Sequence, residues 1–253
     1  MPEKIPGREN LIENPGIVLA TFQKGGVIKQ IDGSYVAEKP RWEKGFDVLV
    51  EQFPEIKALH GVVENNIWHD HDDAFAHTRN VYKYTQEALQ FAFVEDRDTK
   101  KALNEYFQEP LTPGSTTTRK DVLDIAAVLH DIAKSDPEEM TREDNTGYTY
   151  FPTHDISGAQ MSQRILERHN YEPAVIERVK KLITLHLEIH KTQQPQQRQE
   201  VINEIQANHP DIFPDLLVLS MADMQGSDLA KLNYTDYKER MDAYYIAFNE
   251  LTL

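Results

Sequence analysis

The sequence DVLDIAAVLHDIA runs from Asp121 to Ala133 and is followed by Lys134. Its apolar residues recur at the spacing of one buried helix face, which predicts an amphipathic helix. His130 and Asp131 come at the C-terminal end of this stripe, about 100° apart around a helix. An imidazole and a carboxylate side by side suit a divalent transition metal such as Mn, Fe, Co, Ni or Zn, and suit Mg less well. A hydrogen-bonded His–Asp pair without metal also explains the dipeptide, because two residues carry little specificity.

The composition limits the chemistry that this chain can perform. Hydrophobic residues make up 40% of the 253 residues and charged residues 27%, which is typical of a globular protein. The absence of cysteine excludes disulfides and thiolate chemistry, so any metal must be held by His, Asp or Glu. The N-terminal MPEKIPGREN has no apolar core segment, and no window of the sequence approaches eighteen consecutive apolar residues. We therefore expect neither a signal peptide nor a membrane span, and a cytoplasmic location.

The formal net charge is −15, from 42 acidic and 27 basic residues. A field of this sign repels phosphate backbones at long range, which disfavours nucleic acid as a partner. It remains compatible with a small phosphorylated substrate, because a metal ion and a few local bases reverse the sign inside a pocket. The sequence contains no indication of the oligomeric state.

The periodicity divides the chain into an appendage, residues 1–45, and a helical domain, residues 46–253. In the appendage, GIVLATF (16–22) and GVIKQI (26–31) are β-prone runs separated by glycine-rich turn signals, which predicts a small hairpin or loop. The alternative is a partly ordered arm. The rest is predicted to be an all-α bundle. Its predicted helices cover roughly 46–53, 74–94, 121–134, 153–168, 173–189, 215–228 and 237–248.

Three further polar residues occupy positions where the helical pattern expects an apolar one: His77, His186 and Asp223. Each alone is explained as a hydrogen-bonded core residue. Together with His130 and Asp131 they would bury many titratable groups, which is costly unless the groups are paired or bind metal.

This order of residues, H then HD then D, resembles the HD-domain superfamily of metal-dependent phosphohydrolases. The resemblance is closest to the HD domain of CCA-adding tRNA nucleotidyltransferases and their stand-alone relatives, and covers about Phe46–Leu253. Three motifs carry it: LHGVVENNIWHDHDDAFAHT (59–78), HDIAK (130–134) and GYTYFPTHDISGAQMSQRIL (147–166).

The resemblance implies one metal ion and identifies its ligands as His77, His130, Asp131 and Asp223. Binuclear members add histidines that correspond to His154 and His186, which predicts a second ion bridged by Asp131. The alternative is that both histidines line the pocket or bind phosphate oxygens. His190, one helical turn beyond His186, is expected to support the ligands from outside.

The implied activity is hydrolysis of a phosphate ester, of a nucleotide or a cyclic or dinucleotide type, by metal-activated water. The choice between monoesterase and diesterase stays open. Asp131 and Lys134 are the predicted catalytic residues, and Lys134 would place its ammonium on the phosphate. The alternative for Lys134 is an ordinary lysine that is favoured by the C-terminal end of a helix dipole.

The chain departs from the family pattern at Ala133, Asp155 and Glu64, where glycine, glutamate and glutamine are usual. No nucleotidyltransferase head with Gly-Ser and paired aspartates is present, which disfavours tRNA as the substrate. Two other functions stay open, namely a nucleotide-binding regulatory module without turnover and a di-iron oxygenase. His69 and His71 are expected to lie in a solvated loop.

Overall fold

The structure, a computed structural model, describes residues 27–29, 35–37, 39–143, 145–191, 194 and 197–251. The chain divides into two compact units, Met1–Leu49 and Val50–Leu253. The predicted boundary at residue 45 stays a prediction.

In the first unit, strands β1 (Val27–Lys29) and β2 (Tyr35–Ala37) pair antiparallel, with Val27 opposite Ala37. This confirms a small hairpin in the appendage, although its second strand, Tyr35–Ala37, was not among the predicted β-prone runs. The other β-prone run, GIVLATF, lies outside the described residues.

The described secondary structure is otherwise mainly helical, which confirms the predicted all-α class. The described α-helices are α1 (Arg41–Gln52), α2 (Ala74–Ala88), α3 (Arg97–Gln108), α4 (Arg119–Leu129), α5 (His154–Arg168), α6 (Pro173–Leu185), α7 (Arg198–Asn208), α8 (Phe213–Gly226), α9 (Leu229–Leu232) and α10 (Tyr234–Asn249). None of them is both long and apolar enough to cross a membrane.

The second unit is built around α8, whose residues are almost all buried. It packs along α2, and α4 packs against α2 and α6. Helix α4 begins with a capping box, in which Thr118 and Asp121 each accept a backbone N–H of the other. Gly226 permits the close approach of α8 to α2, because an added Cβ would lie 2.8 Å from Val81 Cγ2 and 3.1 Å from its backbone nitrogen.

The helix predicted for 121–134 is shorter than expected. It ends at Leu129, His130 is its C-cap, and the chain continues as a 3₁₀ turn over Ile132–Ser135. The HD dipeptide therefore lies at a helix terminus, where the chain turns. The helix predicted for 74–94 also ends early, at Ala88.

Helices α3 and α7 were not predicted. Each buries few apolar residues, Leu103 and Phe107 in the first and Ile202 and Ile205 in the second. A stripe of two side chains is too short to stand out as a helical period.

Two β-hairpins form the rim of the site described below. Strands β3 (Val63–Asn65) and β4 (Asp70–Asp73) fold the polar stretch before α2 into a hairpin. Strands β5 (Thr141–Arg142) and β6 (Thr149–Tyr150) form the second. The Asn65 amide donates to Thr149 Oγ1 at 2.9 Å and so joins the hairpins. Asp73 caps α2 by accepting from the amide of Ala76.

Candidate metal centre

The six predicted metal ligands converge from five helices. They are His77 on α2, His130 and Asp131 at the end of α4, His154 at the start of α5, His186 at the end of α6 and Asp223 on α8. The Asp223 side chain is 15% exposed. The other five residues are buried: His77, His130, Asp131, His154 and His186. The structure thus brings together all the residues that the sequence singled out as ligands. Their role as ligands stays a prediction.

Helix ends orient three of the histidines. Backbone carbonyls in the last turn of a helix lack helical partners, so a histidine there can donate to one of them. His130 Nδ1 lies 2.9 Å from Ala127 O, and His186 Nδ1 lies 2.6 Å from Ile183 O. His154 is the first residue of α5, and its Nδ1 contacts the carbonyl of Phe151, which precedes the helix. A histidine whose Nδ1 donates a proton presents the lone pair of Nε2, and in each case that atom points to the centre.

The first group of ligand atoms contains His77, His130 and Asp131. Asp131 Oδ2 lies 3.1 Å from His130 Nε2 and 3.5 Å from His77 Nε2. Asp223 closes this group, with Oδ1 at 2.9 Å from His77 Nε2 and 3.7 Å from His130 Nε2. Two imidazoles and two carboxylates face one point.

The second group contains Asp131, His154 and His186. His154 Nε2 lies 3.3 Å from Asp131 Oδ1. The ligand atoms of His77, His130 and Asp131 lie within 4.8 Å of one another, and so do those of Asp131, His154 and His186. Asp131 belongs to both groups, which is the position that a bridging carboxylate needs.

The donor atoms fit a metal ion. His130 Nε2, His186 Nε2 and Asp131 Oδ1 are buried without a hydrogen-bond partner among the described residues. Unpartnered buried polar atoms are rare and costly, and a cation at their meeting point would satisfy all of them. Nitrogen and oxygen donors without sulfur suit a divalent transition metal.

The buried side chains of the centre carry opposite charges and shift one another's pKa values. Burial lowers the pKa of His130, but Asp131 and Asp223 outweigh it and raise the pKa to about 10. Burial raises the pKa of Asp131, but His130 and Lys134 hold it well below the usual range. Burial, followed by the charge of His130, lowers the pKa of His186 to about 3. His186 is therefore neutral and able to bind metal at physiological pH.

Lys134 lies inside the site and is 6% exposed. Its Nζ lies 2.7 Å from Asp131 Oδ2 and 2.7 Å from Glu64 Oε1. Burial lowers the pKa of Lys134, but the two carboxylates reverse this and raise it. The chain turns after Leu129 and carries the Lys134 side chain inward, to both carboxylates.

The sequence did not predict that the β3–β4 hairpin contributes buried side chains to the site. Glu64 is 2% exposed and His69 is 7% exposed, although a solvated loop was expected for His69. The His69 ring meets the His77 ring edge-on, with centroids 4.8 Å apart. His71 is exposed, as expected. The sequence signals in this hairpin were the motif at 59–78, which contains it, and the departure from glutamine at Glu64.

His190 is placed as the sequence predicted, outside the ligand groups. Its Nε2 lies 3.6 Å from Asp223 Oδ2, and burial lowers its pKa to about 4. The ring packs edge-on against Trp68. A neutral, buried imidazole behind Asp223 can hold that carboxylate in place.

The centre forms the floor of a cavity of about 490 Å³. Its walls combine the two hairpins, the end of α6 and the end of α8. The apolar and aromatic wall residues are Ile67, Trp68, Tyr150, Phe151, Pro152 and Leu187. This volume accommodates a ligand of nucleotide size.

The HD domain family model matches residues 74–223, which is more than half of the chain. The chain belongs to the HD domain family. The matched segment begins at α2 with its ligand His77 and ends at Asp223 on α8, so the first and last predicted ligands of the HD centre lie close to its limits.

One curated relative is consistent with the resemblance to the HD domain of CCA-adding tRNA nucleotidyltransferases. The A-adding tRNA nucleotidyltransferase of Deinococcus radiodurans is 30% identical over 122 residues, which cover 46% of this chain and 26% of that protein. The HD chain thus spans about a quarter of the relative that it matches.

Proposed function

We propose that this chain is a metal-dependent phosphohydrolase that hydrolyses a phosphate ester of the nucleotide type. The observation that carries the proposal is Asp131, whose two oxygens face two histidine groups at the floor of a nucleotide-sized cavity. Membership of a family of metal-dependent phosphohydrolases supports the reaction class. The named relative, a tRNA nucleotidyltransferase, supports a nucleotide as the organic part of the ester.

His77, His130, Asp131 and Asp223 would hold one divalent ion, and Asp131, His154 and His186 a second. Such ions lower the pKa of a coordinated water from about 15.7 toward 7 and polarise the phosphoryl oxygens. Mn, Fe, Co, Ni and Zn fit the donors best, and Mg fits them less well.

The residues of the chain prepare this chemistry before the substrate binds. The carbonyl contacts of His130, His154 and His186 fix the tautomer, so no ring must rotate when charge develops. Burial of the floor keeps bulk water away, which strengthens each electrostatic contact. Lys134 has three ammonium protons, and its two carboxylate contacts leave one for a phosphoryl oxygen.

A screen of phosphate monoesters, cyclic and linear phosphodiesters and dinucleoside polyphosphates tests the proposal. Protein loaded with each metal should hydrolyse at least one class, and Asp131→Ala should abolish that activity. Binding without turnover across the panel would instead favour a regulatory module. Substrate-dependent oxygen uptake by the iron-loaded protein would favour an oxygenase.

A further inference from the structure

Glu64 is a buried acid that the proposed reaction does not require. It lies on β3, and Oε1 contacts Lys134 Nζ at 2.7 Å across a sequence separation of 70 residues. The same ammonium contacts Asp131 at 2.7 Å. One positive charge is thus offset by two buried carboxylates, so Lys134 offers an incoming anion little net charge.

Other positive charges in the cavity do little to offset its carboxylates. Among the described residues that line it, the lysines are Lys134 and Lys191, and none is an arginine. Lys191 is exposed and paired with Glu188, and solvent weakens such a pair. Three carboxylates line the same space: Glu64, Asp131 and Asp223. Apart from a metal ion, the cavity is acidic.

The charge of the substrate should therefore matter. A phosphate monoester carries about −1.5 to −2 charges at pH 7, whereas a diester carries about −1. A fixed buried negative charge repels the monoester about twice as strongly, because the Coulomb energy is proportional to the product of the charges. Glutamine, which is common at this position in the family that the chain resembles, would accept a hydrogen bond from Lys134 without adding charge.

We propose that Glu64 determines specificity: by offsetting Lys134, it lowers the affinity of the site for doubly charged phosphoryl groups relative to singly charged ones. The inference rests on the proposed function only in placing a phosphoryl group in this cavity. Because Glu64 changes the charge of the site, its effect can be measured as a binding affinity, without turnover.

Glu64→Gln tests the proposal by calorimetric titration of the metal-loaded protein at about pH 8, with orthophosphate and dimethyl phosphate as probes. We expect orthophosphate, a dianion, to bind about tenfold more tightly than to the wild type. Dimethyl phosphate, a monoanion, should bind about threefold more tightly, because half the charge gives half the change in binding free energy. The matched control is Glu188→Gln, which removes the same charge from the exposed pair and should change either affinity by less than about twofold.

Equal changes for the two probes, or an orthophosphate affinity that is unchanged or lower, would overturn the proposal. Wild type and variants that all fail to bind orthophosphate would overturn it as well. Glu64→Ala removes the same charge and should also increase the affinity for orthophosphate more than that for dimethyl phosphate. This second variant tests the proposal if Glu64→Gln does not fold. A protein that shows the affinity shift but hydrolyses no ester would retain this inference and lose the proposed function.

Discussion

His154 Nε2 lies 3.3 Å from Oδ1 of Asp131. The other oxygen of that carboxylate faces His130 at 3.1 Å. One side chain therefore contacts histidines from two different helices, through one oxygen each. In two-metal sites the ions lie about 3.5–4 Å apart, and a bridging carboxylate fits that spacing.

The first prediction concerns metal content. Purified wild-type protein should carry divalent transition metal, and His130→Ala or Asp131→Ala should lose most of it, because each removes a donor at the floor of the cavity. Elemental analysis of the dialysed proteins measures this. The exposed His60→Ala serves as the control and should keep the wild-type content. Wild type that stays free of metal under metal-replete conditions would contradict the assignment.

The second prediction concerns stoichiometry. If the second group binds an ion, wild type should bind two equivalents and His154→Ala about one, because His77, His130 and Asp223 remain in the first group. Metal titration followed by calorimetry counts the sites. Equal stoichiometry in the two proteins would leave His154 as a residue that lines the pocket, and a single ion would then carry the chemistry.

The third prediction separates catalysis from metal binding at Lys134. An ammonium group cannot bind a metal ion, so Lys134→Ala should leave metal content unchanged. If its third proton meets negative charge that develops on the phosphoryl group, kcat should fall by about 10²–10³ while KM changes little. A rise of KM with kcat nearly intact would indicate binding of the ground state instead.

The same variant leaves Asp131 and Glu64 buried without their shared cation. We expect the free energy of unfolding to fall by about 3–5 kcal/mol for this reason. The double variant Lys134→Met and Glu64→Gln removes one buried charge of each sign and should recover part of the loss. If the double variant is folded as stably as the wild type and shows wild-type kcat, Lys134 has no catalytic role.

The fourth prediction concerns the contact of α8 with α2. Gly226→Ala would place a Cβ 2.8 Å from Val81 Cγ2 and 3.5 Å from His77 Cε1. Overpacking of this kind costs about 1–3 kcal/mol, more than the gain of up to about 1 kcal/mol in helix propensity. Thermal unfolding should show lower stability, and metal affinity should fall because His77 moves.

Gly158→Ala is the matched control, since the nearest atom to its added Cβ is the His130 carbonyl oxygen at 3.4 Å. We expect its stability to lie within about 1 kcal/mol of wild type. A Gly226→Ala protein that matches this control in stability and metal affinity would show that the two helices can separate without consequence.

The fifth prediction concerns a buried ion pair away from the centre. Asp215 is fully buried and accepts hydrogen bonds from Tyr106 at 2.6 Å and from Arg178 at 2.9 Å. Asp215→Ala leaves Arg178 without its carboxylate partner and should lower the free energy of unfolding by about 3–5 kcal/mol. Chemical denaturation measures it, with Lys181→Ala, which breaks an exposed pair, as the control expected to lose less than about 1 kcal/mol.

Local sequence signals predicted the helical class, and they singled out the six residues that the structure brings together. The stripe of α4 and the capping of α2 by Asp73 are short-range features, so they can be read along the chain. Helices α3 and α7 were missed because most of their surface is polar and each buries few apolar side chains. The end of α4 at Leu129 could not be read, because no proline or glycine marks it.

The order of histidines and aspartates along the chain was enough to indicate a shared centre, because polar residues on apolar helix faces are costly unless they meet partners. The meeting itself depends on packing. The distance between His154 and Asp131 and the placement of Glu64 against Lys134 both join segments remote in sequence. Such contacts depend on where helices end and which backbone carbonyls remain unpaired, and these follow from burial across the whole domain.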